Sequence, residues 1–189
     1  LFGSRREPSD WPLAEQLALL RPGDALTYCL HRGTDSGDES IVKDGRVVDA
    51  VWEARERGVL FDMGHGMNSF DFGVVEAAIA EGFMPDTIST DIQRRHVGLD
   101  PPHDMPLVMS KLIAAGMPEP EVLARATLHP ARALGMSDEI GTLAPGACAD
   151  LAVLRWDPDE TPLVDSVRAS RLGGRFEPVL TVRGGETIS

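Results

Sequence analysis

Residues 59–90 read VLFDMGHGMNSFDFGVVEAAIAEGFMPDTIST. Two short apolar runs, 59–63 and 86–90, flank a helix-length segment over 71–81 that ends at Gly82. Runs of this length bounded by Gly and Pro predict buried strands, and the segment between them predicts a helix. The first run opens into the loop Gly64-His65-Gly66-Met67-Asn68-Ser69, and the second ends at Asp91. The same order occurs upstream. ALTYCL over 25–30 predicts a strand, 31–45 a long polar loop, and 47–57 an amphipathic helix stopped by Gly58. Before it, Pro12 opens a short helix that Arg21-Pro22-Gly23-Asp24 turns away. After Asp91 a polar loop leads to helices over 105–115 and 119–127 and a helical turn over 130–134. Strands alternating with helices at a spacing of about 30 residues are βαβ units, hence a parallel sheet with helices outside. In such folds chemistry sits at the carboxyl ends of strands. The positions of interest are therefore Tyr28 to His31, Gly64 to Ser69 and Thr90 to Gln93.

Composition narrows the classes. A chain of 189 residues, 42% hydrophobic and 25% charged, is globular and fits one domain, or one domain plus an appendage. A net charge of −12 repels phosphate backbones and anionic lipid, so nucleic acid and membranes are not expected partners. No apolar run approaches the roughly 20 residues of a membrane span. Cys29 and Cys148 both fall in apolar, strand-like runs, which argues for free thiols and a reducing, cytoplasmic setting. The chain opens on Leu1 with no signal-peptide pattern, so either its start was processed or it is a piece of a longer protein. P-loop, GxGxxG, HExxH and CxxC patterns are absent, which leaves nucleotide cofactors and structural zinc unsupported.

The pattern changes after Leu134. Residues 142–189 carry short strands joined by Pro/Gly turns, a small all-β segment after an α/β portion over 1–141. A closed (β/α)8 barrel needs about 250 residues. The α/β portion therefore holds about three βα units of a barrel.

The tail is the most specific stretch. Ala126-Thr127-Leu128-His129-Pro130-Ala131-Arg132-Ala133-Leu134-Gly135, Ile140-Gly141-Thr142-Leu143 and Pro145-Gly146-Ala147-Cys148-Ala149-Asp150-Leu151-Ala152-Val153-Leu154 resemble the carboxyl-terminal signature of the amidohydrolase superfamily. Leu20-Arg21-Pro22-Gly23-Asp24, Phe61-Asp62-Met63-Gly64-His65-Gly66, Ile88-Ser89-Thr90-Asp91 and Met109-Ser110-Lys111 are similar to its dihydroorotase-like deacetylase branch. The resemblance runs from about residue 12 to the end. It implies the last three βα units of a (β/α)8 (TIM) barrel followed by a β-sandwich segment completed by the missing amino-terminal part. It also implies one or two divalent ions, zinc by preference. Zinc brings the pKa of bound water down to about 7 and polarises a scissile carbonyl. A carboxylate beside that water can carry its proton to the leaving amine.

Carried over residue by residue, the resemblance makes Asp91 the aspartate of the last strand, at once metal ligand and general acid/base. The plain alternative is an aspartate capping the following turn. Tyr28 stands where the family has a histidine ligand on its sixth strand, and a neutral phenol is a poor substitute. His31 is a remote replacement, because strand side chains alternate in direction; a solvated loop histidine is the simpler reading. His65 and Gly66 would face substrate, or His65 would only tie neighbouring loops together. His96 and His103 read as surface residues of a Pro-rich loop, His129 as a structural residue at a helix start, and Cys29 as a small core residue. Asp35 to Glu39 reads as a solvated loop, and Asp157 to Glu160 as a turn between strands.

The expectation is a metal-dependent amidohydrolase piece that hydrolyses an amide or cyclic amide C–N bond of a small molecule in the complete protein. The rival is a non-catalytic remnant or binding subunit, since Tyr28 replaces one ligand and others lie outside the chain. Partners expected are the small-molecule amide, and the missing amino-terminal part of the barrel or a second copy of the chain. Residues 1–189 alone are expected to aggregate or dimerise, because an open sheet exposes edges.

Overall fold

A computed structural model of the chain describes residues 1–3, 11–33, 39–100 and 102–188. Of the acidic run Asp35 to Glu39, residues 35–38 lie outside the described residues, while Glu39 is half-buried and accepts from Leu13 N at 2.6 Å. The first sheet is parallel. Its strands are β1 (Phe2–Gly3), β2 (Ala25–Thr27) and β5 (Leu60–Phe61), in the order β1-β2-β5. Phe2 pairs with Leu26, and Ala25 pairs with Leu60. Residues 86–90, expected as a full strand, join through one parallel bridge, Asp62 to Thr87. Amide bonds from Met63 to Thr87, His65 to Ser89 and Gly66 to Thr90, each 3.0 Å, carry the pairing outward. β1 carries no sequence signal, because two residues have no period to read.

Helices cover this sheet: α1 (Leu13–Ala18), α2 (Asp49–Glu56), α3 (Phe72–Ala80), α4 (Met105–Ala114), α5 (Glu119–Ala126) and α6 (Leu128–Ala133). Their ends are chemically specified. Asp71 caps α3 by accepting from Gly73 N at 2.8 Å and Val74 N at 3.3 Å, and Asp104 caps α4 by accepting from Leu107 N at 2.9 Å. α2 and α3 finish in paired reverse bonds. Gly58 N and Val59 N return to Arg55 O and Ala54 O; Gly82 N and Phe83 N return to Ile79 O and Ala78 O. The residue after each glycine is buried, so each helix end delivers an apolar anchor to the core. There Phe83 meets Phe61 edge-on at 5.3 Å and Trp52 at 5.5 Å.

Three expectations are corrected in the connections. The long loop over 31–45 contains a hairpin, β3 (Val42–Lys43) and β4 (Arg46–Val47), turned at Asp44-Gly45 with both φ positive. Asp-Gly between apolar residues is a recognisable hairpin signal. Asp157 to Glu160 is not a turn between strands. It lies within the long strand β6 (Leu151–Val164), whose pairing with β7 (Ser170–Arg183) shifts register between Asp157 and Thr161. β8 (Glu186–Ile188) completes this antiparallel sheet. Cys148 is not in a strand. It lies exposed in the loop before β6.

The β6–β7 hairpin is stitched onto the helices. Phe176 N donates to Ser110 Oγ on α4 at 2.8 Å. Phe72 N donates to Asp165 Oδ2 at 3.0 Å, and Ser166 Oγ donates to Phe70 O at 2.7 Å. Gly173 sits so close to α4 that a Cβ there would lie 3.1 Å from the Ala114 methyl.

Candidate functional site

The carboxyl ends of the parallel strands converge on one rim. Tyr28 follows β2, Gly64 to Gly66 follow β5, and Asp91 follows the segment bridged at Thr87. Tyr28 and Asp91 both hold left-handed backbone, φ 63° and φ 47°. Non-glycine residues there cost of order 1–3 kcal/mol and cluster at functional sites. The Tyr28 ring lies between Gly3 and Gly64; a Cβ on either glycine would come within 3.1 Å and 2.9 Å of it. Its hydroxyl lies close enough to the Asp91 carboxylate to feel its charge. Burial, reinforced by Asp91, pushes the Tyr28 phenol above its ordinary pKa, so it stays neutral. Asp91 is half-buried and also accepts from Gln93 Nε2 at 3.3 Å. Its Oδ2 faces Gly66, where an added Cβ would stand 3.2 Å away. Asp91 and the 64–69 loop therefore share one mouth.

Beneath the rim sits Asp62, a buried carboxylate that sequence reading passed over. It accepts from Thr27 Oγ1 at 2.7 Å, Thr87 Oγ1 at 2.7 Å and Ser89 Oγ at 2.6 Å. Three hydroxyls from the two flanking segments, Thr27 from one side and Thr87 and Ser89 from the other, satisfy it, which pins those strands to its own below Tyr28 and Asp91. Cys29 Sγ donates to Asp62 O at 3.3 Å, and burial raises its thiol pKa far out of the reactive range. Cys29 is the core residue expected of it.

His65 stands behind the rim with both ring nitrogens occupied. It is 4% exposed and stacked on Phe70 at 5.2 Å. Nε2 lies 3.1 Å from Lys111 Nζ, which has only protons to offer. Nε2 must therefore accept, so Nδ1 carries the hydrogen and donates to Gly66 O. Burial and the lysine together push the His65 pKa down to about 3. Lys111 is 6% exposed, and burial brings its pKa down to about 8. His96 and His103 are corrected from surface residues to buried ones, because the loop folds back under Thr90. His103 Nε2 lies 2.8 Å from Thr90 O, and its ring is 4.8 Å from His96 and 5.1 Å from His65. His96 Nδ1 accepts from Gln93 N at 3.1 Å. Burial pushes the His96 pKa down. The three histidines thus hold Gly66, Thr90 and Gln93 on either side of Asp91.

His31 is also buried, not solvated, and its Nδ1 accepts from Gly33 N at 2.9 Å. His129, near the start of α6, reaches Asp86 O at 3.2 Å on the opposite end of the sheet. Among the described residues no three His, Cys, Asp or Glu side chains come together to hold a metal ion. Lys111 is the residue sequence reading undervalued. Its signal was a charge on the apolar stripe of α4, three residues after Val108 and four after Leu107.

Comparisons with known proteins agree with this architecture. A sequence profile of the amidohydrolase family matches residues 71–187. The chain is 37% identical to a deacetylase of Enterococcus faecalis over 175 residues, 92% of this chain and 47% of that protein. It is 35% identical to a deacetylase of Brucella anthropi over 93% of this chain and 42% of that one. A crystal structure of an adenine deaminase superposes with a TM-score of 0.84 at 35% identity, covering 93% of this chain and 47% of that chain. A dihydroorotase structure superposes at 0.77 with 36% identity, over 94% of this chain and 46% of that one. The chain spans about half the length of the relatives it matches.

Proposed function

The chain belongs to the amidohydrolase family, and we propose that it is the carboxyl-terminal part of a hydrolase that cleaves an amide or cyclic amide C–N bond of a small molecule. In this reading residues 1–141 supply the last βα units of a (β/α)8 barrel, and residues 142–189 a sandwich segment completed by chain outside this sequence. The parallel strands under helices, followed by a separate antiparallel sheet, support that division. The similarity to deacetylases, an adenine deaminase and a dihydroorotase supports a small-molecule substrate cleaved at a C–N bond. A cytoplasmic setting is part of the same reading; among the described residues no helix is long and apolar enough to cross a membrane.

The family generally uses divalent metals, and zinc is our choice of ion. The described residues do not by themselves make up such a site. Asp91 is the ligand this chain would contribute, the rest coming from outside it. The chemistry we assign to this chain is proton transfer at the Asp91 carboxylate. Its left-handed backbone aims it into the mouth beside Gly66, and the neutral Tyr28 hydroxyl stands close by. A carboxylate so placed takes a proton from the attacking water and delivers it to the leaving nitrogen.

The placement of Asp91 carries this reading. Its test is the natural reading frame expressed whole, supplied with a divalent metal, and assayed on N-acetylated amines and cyclic amides. Asp91→Asn should lower kcat by about 10²–10⁴. Full activity in that variant would end the assignment. One observation favours a second reading, a non-catalytic remnant: Tyr28 stands where the family resemblance puts a histidine. A metal-loaded whole protein that turns over none of these substrates would support it.

A further inference from the structure

A cavity of about 640 Å3 lies between the 64–69 loop, α4 and the β6–β7 hairpin. It shares the 64–69 loop with the rim, through His65, Met67 and Asn68, but neither Asp91 nor Tyr28 lines it. Its volume is in the range of small-molecule sites. Leu99, Leu107, Pro162, Leu163 and Val164 give it an apolar wall.

Three cations reach the same space: Lys111, Arg168 and Arg175. None of the three forms an ion pair among the described residues. Arg175 Nε is buried with no hydrogen-bond partner among the described residues. Lys111 is almost fully buried and its Nζ has three protons, of which the contact to His65 Nε2 uses one. Buried donors left without acceptors are costly, and native structures rarely tolerate them. Asp165, which also lines the cavity, acts on Lys111 only through its charge and accepts no hydrogen bond from the three cationic side chains. Its oxygens accept from Phe72 N at 3.0 Å, Val167 N at 2.9 Å and Ala169 N at 2.8 Å.

We infer that this cavity binds a small organic carboxylate with an apolar body. The carboxylate accepts from Lys111 and from the orphaned Arg175 Nε, Arg168 adds positive charge at the exposed edge, and the body lies on the Leu107–Leu163 wall. The inference stands apart from the proton transfer assigned to the rim, since neither Asp91 nor Tyr28 lines the cavity.

The test uses the protein in its natural reading frame, with benzoate, neutral benzamide and inorganic phosphate as probes. Saturable heat and a rise in melting temperature are expected for benzoate, with benzamide at least tenfold weaker. Lys111→Met and Arg175→Met should each weaken benzoate at least tenfold. Arg168→Gln, an exposed change that leaves the fold alone, should weaken it several-fold. Asp91→Asn should leave benzoate binding unchanged. Equal binding of benzoate and benzamide, binding of phosphate in place of benzoate, no binding of benzoate, or loss of binding in Asp91→Asn would each overturn the inference.

Discussion

Two glycines two residues apart are expected to respond differently to the same added methyl group. Gly64 and Gly66 both hold left-handed backbone, φ 50° and φ 45°, so an alanine at either costs about 1–2 kcal/mol in conformation. The surroundings then separate them. A Cβ at Gly64 would lie 2.1 Å from Thr27 Oγ1 and 3.0 Å from Tyr28 N. Thr27 can escape only by rotating its hydroxyl off the buried Asp62 carboxylate, which it meets at 2.7 Å. A hydrogen bond to a charged group contributes about 1.5–3 kcal/mol, and the Tyr28 backbone has no rotation available. Gly64→Ala should therefore destabilise by about 3–5 kcal/mol. At Gly66 the nearest atom is Asp91 Oδ2 at 3.2 Å, the free end of a side chain. Gly66→Ala should stay near its conformational cost of about 1–2 kcal/mol. With a urea slope of about 2 kcal/mol/M, the midpoints of the two variants should differ by about 1 M or more. The assay is equilibrium urea unfolding of the protein in its natural reading frame, followed by circular dichroism. Equal midpoints, or a lower midpoint for Gly66→Ala, would show that the Asp62 cluster does not hold the strands as described.

Three further outcomes are expected. A thiol reagent should titrate one cysteine per folded chain and two after unfolding, since Cys148 is exposed while Cys29 is buried and its thiol pKa raised; rapid native reaction of both would contradict the Cys29 placement. Stability should rise with pH in two windows. His65, at about 3 when folded against an ordinary 6.5, lets the unfolded chain bind the extra proton between those values, so stability falls as pH drops through them; Lys111, at about 8 against 10.5, gives a second rise above pH 8 that Lys111→Met should abolish in pH-resolved urea titrations. Ser110→Ala removes the acceptor of the buried Phe176 N and should cost about 1–3 kcal/mol, with faster hydrogen exchange at Phe176 as its local mark; unchanged exchange there would mean the hairpin is held elsewhere.

Much of the fold was legible because its signals are local. Asp71 and Asp104 announce helix starts, Gly58 and Gly82 announce helix ends, and the apolar runs at 25–30 and 59–63 are short and bounded. The hairpin at Val42 to Val47 was legible too, through Asp44-Gly45, but was absorbed into a loop because its strands are two residues long. Histidine burial was not legible. His96 and His103 sit in a polar, Pro-rich stretch whose composition says surface, and only the return of that loop under Thr90 buries them. The register slip that keeps Asp157 to Glu160 inside β6 likewise depends on what β7 offers opposite.

The candidate site divides in the same way. Strand-end position by itself singles out Tyr28 to His31, Gly64 to Ser69 and Thr90 to Gln93, because period and turn chemistry act between near neighbours, and the family resemblance narrows these to Asp91, Tyr28 and the glycine pair around His65. The use of those residues was decided in three dimensions. Whether His65 faces a ligand or the protein depends on Lys111, 46 positions away, and the Asp62 cluster draws hydroxyls from positions 27, 87 and 89. Such contacts are set when helices and strands pack and must satisfy every buried donor and acceptor. No local pattern records which distant group will arrive.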